Sequence, residues 1–325
     1  MTGNVRRAAG AHYDVAIGHN GVRPMEWTAE LVISTLASAG FAVPAAGLSL
    51  EPRDGRLLAR MPGDRMAWFA TNDDGRRRMP IESRVLRLLE ARCTFAVPRV
   101  LHEDTPRGFQ VRSAVPGLAE PWRVYARAKA DPRLAASLGR TLGAALAEQH
   151  LRITEQDGAG WLPTRVSWPE PLDSIRERLP RVVADAGLLR ELHALLARYE
   201  AIEVAQGDRV LVHADLGLHN LAIDPETDAV RGVFDYEGAA WDDRHHDFRY
   251  LVFDFDDTSM LDAALAVYEP ATGCRISRER VTLYNATAAA SFLALRDGVA
   301  PEAVSCGRTL AQDLAWVRSV LDRLN

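Results

Sequence analysis

Long apolar runs and an excess of positive charge are both absent from this sequence of 325 residues. No stretch approaches the roughly 18 to 20 consecutive apolar residues that a membrane-spanning helix needs. Lysine and arginine together number 39, against 44 aspartate and glutamate residues, so the formal net charge is −5. That balance attracts neither a nucleic acid nor an anionic membrane surface. We therefore expect neither partner, whereas a cationic small molecule is compatible with the charge.

Cysteine and lysine are also scarce. The three cysteines, Cys93, Cys274 and Cys306, are far apart and none forms a C-x-x-C pair. An odd number with this spacing predicts neither a disulfide framework nor a cysteine-based zinc site. The sequence also lacks the N-terminal pattern of a secretory signal, so we expect a cytoplasmic protein. Lys129 is the single lysine, which leaves 38 of the 39 basic residues as arginine.

The remaining composition is that of a globular protein, with 47% apolar and 26% charged residues. Residues 1–23 have no clear period and suggest a loose arm or an extra strand. Extended segments at 48–50, 56–61 and 65–71 are separated by turn sequences, and Pro80 is expected to open a helix. A hairpin follows between Val97 and Val115. The first 115 residues therefore predict a mostly antiparallel sheet with one prominent helix.

After Val115-Pro116-Gly117 the pattern becomes helical, at 134–150, at 172–199, and in segments that start at Leu261 and Arg278. One island differs, because short extended segments occur at 210–212, 221–223 and 230–234. A turn-forming Asp-Pro-Glu-Thr-Asp sequence joins the last two segments. These observations predict two domains, a small β-rich lobe at 1–115 and a larger helical lobe at 116–325.

The most specific motif lies in this island. His213-Ala214-Asp215-Leu216-Gly217-Leu218-His219-Asn220 separates the first two segments, and Asp235-Tyr236-Glu237 follows the hairpin. H-x-D-L-x-x-x-N with a second aspartate at this spacing resembles the catalytic loop and metal-binding aspartate of kinase-like phosphotransferases. With Asp247 a dozen residues further on, the closer resemblance is to the aminoglycoside phosphotransferase and choline kinase-like family.

The resemblance implies an α+β, two-lobed protein kinase-like fold. It also implies transfer of the γ-phosphate of ATP or GTP, with Mg²⁺, to a hydroxyl of a small molecule such as an aminoglycoside-like antibiotic, an amino alcohol or a sugar. The D-F-G string of protein kinases is absent, which disfavours a protein substrate.

Asp215 is the candidate catalytic carboxylate, which would orient the acceptor hydroxyl and accept its proton. Asn220 and Asp235 offer the oxygen ligands that Mg²⁺ prefers. Because the intervening strands reverse direction, Asp235 is expected to return to the edge that carries Asp215 and Asn220. The family likeness gives His213 and Asp247 structural roles beneath this loop.

In the small lobe, Glu82 stands where the family has a helix glutamate. The lysine that usually pairs with it is missing near Ala70 or Thr71. Arg60 or Arg65 is therefore expected to supply a cation to the phosphates, since arginine can bind phosphate bidentately. Ser113 and Val115 lie in a segment that resembles the hinge whose backbone would read an adenine edge.

For the acceptor, the sequence suggests Glu237, Asp242 and Asp243, which begin an acidic run that continues with Asp254, Asp256 and Asp257. Such a run could attract a cation, and a solvated loop explains it equally well. The acceptor itself, and the choice between monomer and homodimer, stay open.

Three other interpretations stay open. The missing lysine also suits a nucleotide-binding pseudokinase with a regulatory or scaffolding role. A metal hydrolase built on the histidines is disfavoured because no H-E-x-x-H helix occurs. The motif could also be an ordinary polar hairpin with accidental H-x-D spacing.

Overall fold

A computed structural model describes residues 26–53, 55–117, 121–253, 257–305 and 307–324. The predictions for residues 1–23 and the suggested roles of Asp254 and Asp256 lie outside the described residues, as does Cys306.

The N-terminal lobe is a five-stranded antiparallel sheet. Its strands are β1 (Ser49–Arg53), β2 (Arg56–Met61), β3 (Arg65–Ala70), β4 (Val100–Asp104) and β5 (Phe109–Ser113). They lie in the order β1-β2-β3-β5-β4.

Two helices accompany this sheet. Helix α1 (Ala29–Ser38) covers one face of it, where Leu36, Phe69 and Phe109 are fully buried. The longer helix α2 (Asp73–Arg92) connects β3 to β4 and is the predicted prominent helix.

The prediction that Pro80 opens α2 is wrong, because the helix already begins at Asp73 and Pro80 lies inside it. The side chain of Asn72 accepts a hydrogen bond from the Gly75 amide at 2.8 Å and caps the first turn. That turn lies against the β1–β2 turn, since a Cβ atom at Gly75 would stand 2.1 Å from the Gly55 carbonyl oxygen. The start of β2 is therefore fixed against α2.

The C-terminal lobe is mainly helical. Helices occur in the predicted segments 134–150 and 172–199 and in those near Leu261 and Arg278, whereas the helices Pro121–Ala130, Glu155–Gly158 and Tyr250–Phe253 are not predicted from the sequence. Its larger helices form two apolar cores, one around α4 and α9 and one around α6, α7, α10 and α11. The helices are α3 (Pro121–Ala130), α4 (Pro132–Arg152), α5 (Glu155–Gly158), α6 (Leu172–Val182), α7 (Ala186–Glu200), α8 (Tyr250–Phe253), α9 (Ser259–Thr272), α10 (Arg278–Ala294) and α11 (Leu310–Asp322). None of the helices in the described ranges has the length and apolar character of a membrane span.

Two small two-stranded sheets interrupt these helices. β6 (Arg209–Val212) pairs antiparallel with β9 (Ala240–Asp243), and β7 (Leu221–Ile223) forms a hairpin with β8 (Val230–Val233). β9 is not predicted from the sequence, because its Ala-Trp-Asp-Asp segment lacks an apolar strand pattern. Together the two sheets hold the segments 213–220 and 234–239 side by side.

Helices α4 and α9 approach so closely that glycine is required on α4. A Cβ atom at Gly139 or Gly143 would lie 2.3 Å from a carbonyl oxygen of α9, that of Met260 or of Ala264. Alanine in a helix interior is normally more favourable than glycine by about 0.5–1 kcal/mol. Here the contact reverses that preference, because the backbone of α9 has to move away.

We predict that Gly143→Ala lowers the free energy of unfolding by about 1–3 kcal/mol, the usual cost of overpacking a core. Urea denaturation measures the change. Gly207→Ala is the matched control, because a Cβ atom at Gly207 meets no other atom within 4 Å. Equal stability of the two variants would contradict the close helix contact.

Candidate active site

Asp215, Asn220 and Asp235 come together where the two small C-lobe sheets meet. The Asn220 Nδ2 group donates to the Asp215 backbone carbonyl at 2.8 Å and to its Oδ2 at 3.0 Å. The amide of Phe234 donates to the Asn220 carbonyl at 3.0 Å. Asp235 follows directly and has a left-handed backbone with φ 68°. Such a conformation is uncommon outside glycine and turns the side chain out of the strand.

His213 connects the loop to the end of β8. Its Nε2 donates to the Phe234 carbonyl at 3.0 Å, and its Nδ1 accepts from the Asp215 amide at 3.3 Å. The imidazole also packs on Tyr236, with 4.3 Å between ring centroids. The structure thus places His213 under the loop, in contact with the backbone on both sides of the site.

Asp247 lies fully buried below the same loop. Its carboxylate accepts from the amides of Ala214 at 2.8 Å and His213 at 3.1 Å, and from His150 Nε2 at 3.1 Å. Burial opposes its ionisation, but these bonds and the nearby imidazoles lower its pKa. Ala214 has φ 70°, and Arg249 donates to its carbonyl. The strained turn is therefore held by charge-assisted bonds.

The carboxylate of Asp215 is 42% exposed and points into the cleft. His219 Nε2 lies 3.2 Å from its Oδ2, and the Tyr250 hydroxyl also bonds to it. Partial burial opposes ionisation, but His219 and Tyr250 outweigh it and lower the pKa of Asp215 to about 2. The group is therefore ionised at neutral pH and can accept a hydrogen bond from a hydroxyl.

The oxygen atoms near Asp235 suit a hard divalent cation. Burial and the carboxylates of Glu82 and Asp215 raise the pKa of Asp235, although Arg56 acts in the opposite direction. A bound cation would relieve this repulsion. Because the Asn220 amide nitrogen makes both donor bonds, its oxygen is directed elsewhere and can serve as a ligand.

Only part of a coordination shell comes from side chains. Within the described ranges, no group of three His, Cys, Asp or Glu residues could hold a metal ion. Mg²⁺ usually binds through one or two carboxylates and takes its other ligands from water and phosphate. Asn220 and Asp235 fit that pattern.

Glu82 on α2 is buried and binds two arginines of the sheet. Arg112 reaches its carboxylate with both terminal nitrogens, at 2.5 and 2.7 Å, and Arg56 Nη1 lies 3.0 Å away. Burial opposes ionisation of Glu82, but Arg112 and Arg56 prevail and lower its pKa to about 2. Arg56 also reaches across the cleft, to Glu237 and to within 3.8 Å of Asp235.

The arginine beside Glu82 is thus neither of the two that the sequence suggests. Arg60 is 56% exposed and lies 3.5 Å from Glu51 on β1. Arg65 Nε donates to the Pro62 carbonyl at 3.1 Å. Arg60 and Arg65 lie on either side of the β2–β3 turn, whereas Arg56 stands at the opposite end of β2, next to α2.

The sequence model of the phosphotransferase enzyme family matches residues 63–284. The chain belongs to this family. Membership confirms the predicted resemblance and the enzyme class, a small-molecule kinase with a hydroxyl acceptor. A search of curated protein sequences finds no match.

Solved structures with the same fold cover nearly the whole chain. The GDP complex of wild-type aminoglycoside 2'-phosphotransferase-IIIa is 16% identical, with a TM-score of 0.68 over 90% of this chain and 98% of that one. Macrolide 2'-phosphotransferase MphH from Brachybacterium faecium is 20% identical, with a TM-score of 0.60 over 90% of this chain and 98% of that one. These similarities confirm the predicted kinase-like fold.

In this phosphotransferase, residues 113–117 connect the lobes beside the β7–β8 hairpin. The Ser113 hydroxyl accepts from the Arg99 amide at 2.9 Å, and the Ala114 amide donates to the Asp64 carbonyl at 2.7 Å. A Cβ atom at Gly117 would lie 3.0 Å from the Ile223 amide nitrogen. The position suits a hinge, and its contact with a nucleotide base through Ser113 and Val115 stays a prediction, as does the domain boundary at 115/116.

The acidic residues suggested for the acceptor have different surroundings. Asp242 accepts from the amides of Val166 and Asp243, at 2.9 and 2.8 Å. Asp243 is fully buried among Arg280, Tyr284 and His245. The acidic run of the sequence is therefore partly internal, because a buried carboxylate needs such partners. Neither Asp242 nor Asp243 reaches the cleft.

Glu237 does lie in the cleft, but its carboxylate binds Arg56 and Arg78 of the N-terminal lobe. Asp257 is exposed and accepts from the Ser259 amide at 2.9 Å, at the start of α9. The described residues thus give no acidic acceptor surface formed by the predicted set.

We predict that Asp247→Ala destabilises the protein by about 3–5 kcal/mol. The change leaves two buried backbone amides unsatisfied, at about 1–3 kcal/mol each, and removes a buried charge partner of His150. Chemical denaturation measures the loss. Asp173→Ala is the control, because its side chain is 99% exposed and surface changes usually stay within about 0.5 kcal/mol. Similar small effects of both changes would contradict the bracing role of Asp247.

Proposed function

We propose that this phosphotransferase moves the γ-phosphate of ATP or GTP to a hydroxyl group of a small molecule. The observation that carries the proposal is the convergence of Asp215, Asn220 and Asp235 on one edge of the C-terminal lobe. That edge faces the Arg56–Glu82 pair of the N-terminal lobe. A carboxylate for the acceptor, oxygen ligands for a metal and a cation for phosphate thus meet in one cleft.

Asp215 would act on the acceptor hydroxyl. Its ionised carboxylate accepts the hydroxyl hydrogen bond and so aims the oxygen at the γ-phosphorus. As the new O–P bond forms and the bond to the bridging oxygen breaks, the proton passes to Asp215 and a nucleoside diphosphate leaves. A pKa of about 2 makes Asp215 a weak base. That strength is sufficient because the transition state of phosphoryl transfer is loose and the proton moves late.

Asn220 and Asp235 would hold Mg²⁺. Held there, the metal would supply positive charge that offsets the negative charge developing on the phosphate groups. Asp235 would bind through its carboxylate and Asn220 through its side-chain oxygen, while the Asn220 amide nitrogen keeps Asp215 in position. The same side chain thereby sets the position of the metal relative to the acceptor carboxylate.

Structural relatives support a nucleotide and a small acceptor, although they leave both identities open. Relatives of the same fold were solved with GDP, with ATP and streptomycin, and with GDP and kanamycin. Macrolide phosphotransferases also share the fold. Tyr250 bonds to Asp215 and packs against Phe253, which in turn packs against Phe292 and Trp316, so an aromatic cluster begins at the site. An acceptor library should therefore contain macrolides as well as amino sugars and amino alcohols.

The second candidate function is a nucleotide-binding pseudokinase. The observation in its favour is the missing lysine on β3, which weakens the expected phosphate site. Transfer to an acceptor separates the two functions, because a pseudokinase binds nucleotide without turnover.

We predict that Asp215→Asn lowers transfer to the acceptor by roughly a hundredfold or more, while nucleotide affinity stays within a few fold. Asparagine keeps the size and most of the hydrogen bonds but cannot take the proton. Product formation with Mg²⁺ and the acceptor library gives the rate, and calorimetry gives the affinity. Asp173→Asn serves as the exposed control. Nucleotide binding without turnover in the unmodified enzyme would instead support the pseudokinase.

We further predict that Asp235→Ala removes the dependence of nucleotide binding on Mg²⁺. The unmodified enzyme should bind ATP or GTP weakly after treatment with EDTA and tightly once Mg²⁺ is restored. The variant should show the weak affinity in both conditions, since it lacks the carboxylate ligand. Calorimetry with and without the metal measures this, and a variant that still responds fully to Mg²⁺ would exclude Asp235 as a ligand.

A further inference from the structure

We infer that Arg56 binds the nucleotide phosphates in place of the missing lysine, and that Glu237 covers this arginine in the free enzyme. The inference rests on the proposed function and assigns a specific residue to its phosphate site.

The Cα atom of Arg56 lies next to the position expected for the lysine. In the sheet it is directly paired with Ala70 on the neighbouring strand β3, which is the position where the sequence lacks lysine. Side chains of directly paired residues project from the same face of a sheet. The Arg56 side chain therefore starts one strand away from the expected lysine and enters the same cleft.

Contacts within the N-terminal lobe fix the guanidinium group. Its Nη1 nitrogen lies 3.0 Å from Glu82, and its central carbon lies 4.4 Å from the centre of the Trp68 ring. Arg112 binds Glu82 with two nitrogens and supplies most of the compensation for that carboxylate. Because two arginines share one glutamate, the cluster keeps a surplus positive charge.

That surplus faces the predicted metal site. The Arg56 Nη2 nitrogen lies 3.8 Å from Asp235 Oδ1. A phosphate group held by a metal at Asp235 would therefore lie on the side of the cleft that Nη2 faces. A fixed guanidinium in that position can donate charge-assisted hydrogen bonds to phosphate.

Glu237 occupies this position in the structure. Its carboxylate binds Arg56 Nη2 and lies 3.0 Å from Arg78 Nη1, and the Arg56 side chain is only 4% exposed. A phosphate group must therefore displace Glu237 to reach Arg56. The exchange replaces one anion with a more highly charged one, so the buried arginine is paired before and after binding.

Binding of three probes tests the inference: MgATP, MgGTP and magnesium tripolyphosphate, which carries no base. Arg56→Gln should weaken the tightest nucleotide and tripolyphosphate by roughly ten- to a hundredfold, the effect of one or two charge-assisted bonds. The affinity for adenosine or guanosine should stay unchanged. Arg56→Lys should give an intermediate loss, since lysine keeps the charge without the planar fork. The melting temperature of each variant shows that it is folded.

Arg107→Gln is the matched control. Arg107 lies in the β4–β5 turn of the same lobe, is 57% exposed and pairs with Asp104, and its change should not alter binding. Glu237→Gln should tighten binding several fold, because it removes the competing carboxylate and leaves the Arg56–Glu82 pair intact. In the Arg56→Gln background the same change should have no effect. If Arg56→Gln does not fold, Glu237→Gln carries the test.

Wild-type affinity in folded Arg56→Gln would overturn the inference, and so would unchanged affinity in Glu237→Gln. A loss confined to Arg60→Gln would move the contact to Arg60 and also overturn it. In each of these three cases the proposed function would stand, because the unmodified enzyme still binds the nucleotide. If the unmodified enzyme binds none of the three probes, the proposed function fails together with the inference.

Discussion

One buried carboxylate, that of Glu82, connects the N-terminal sheet to the part of the C-terminal lobe that carries Asp235. A carboxylate taken out of water costs several kcal/mol unless it is fully compensated. Arg112 and Arg56 provide that compensation, from β5 and from β2. Since Arg56 also contacts Glu237 and approaches Asp235, the same charges continue across the cleft. These electrostatic contacts therefore fix the sheet, α2 and the end of the β7–β8 hairpin relative to one another.

Such a network is poor evidence for stability, because an apolar cluster of equal volume is often as stable as a buried ion pair. The network instead fixes the positions of the charged groups in the cleft. Four carboxylates, those of Glu82, Asp215, Asp235 and Glu237, lie close enough to affect one another's pKa. Burial, together with this crowding, raises the pKa of Asp235. A site with this many carboxylates favours the binding of cations. A metal ion and the arginines both reduce the repulsion among these carboxylates.

The sequence predicts the C-lobe part of the site well because that part is local. Asp215 and Asn220 share one loop, and a short hairpin returns Asp235 to them, so strand geometry alone brings the three together. The five N-lobe strands were equally readable from turns and alternation. β9 was missed because two aspartates hide its strand pattern, and the start of α2 was missed because Pro80 resembled a first helical residue.

The N-lobe part of the site could not be predicted in the same way. Glu82 meets Arg56 and Arg112 from 26 and 30 residues away, through a sheet register that no local pattern reveals. With 38 arginines in the chain, nothing in the sequence marks these two. The acidic run illustrates a related difficulty. The sequence shows that Asp242 and Asp243 are charged, but it does not show that backbone amides bind Asp242 and that Arg280 binds Asp243.

The geometry also explains why arginine can do here what lysine does elsewhere. An ammonium group has one nitrogen, which must serve the helix glutamate and the phosphate together. The guanidinium of Arg56 separates these tasks, because Nη1 points to Glu82 and Nη2 points to Asp235. Its plane is set by Trp68 and its pKa is raised well above the ordinary value, since Glu237 and Glu82 outweigh the effect of burial. A longer, forked and permanently charged side chain can thus start from a neighbouring strand and still end at the same place in the cleft.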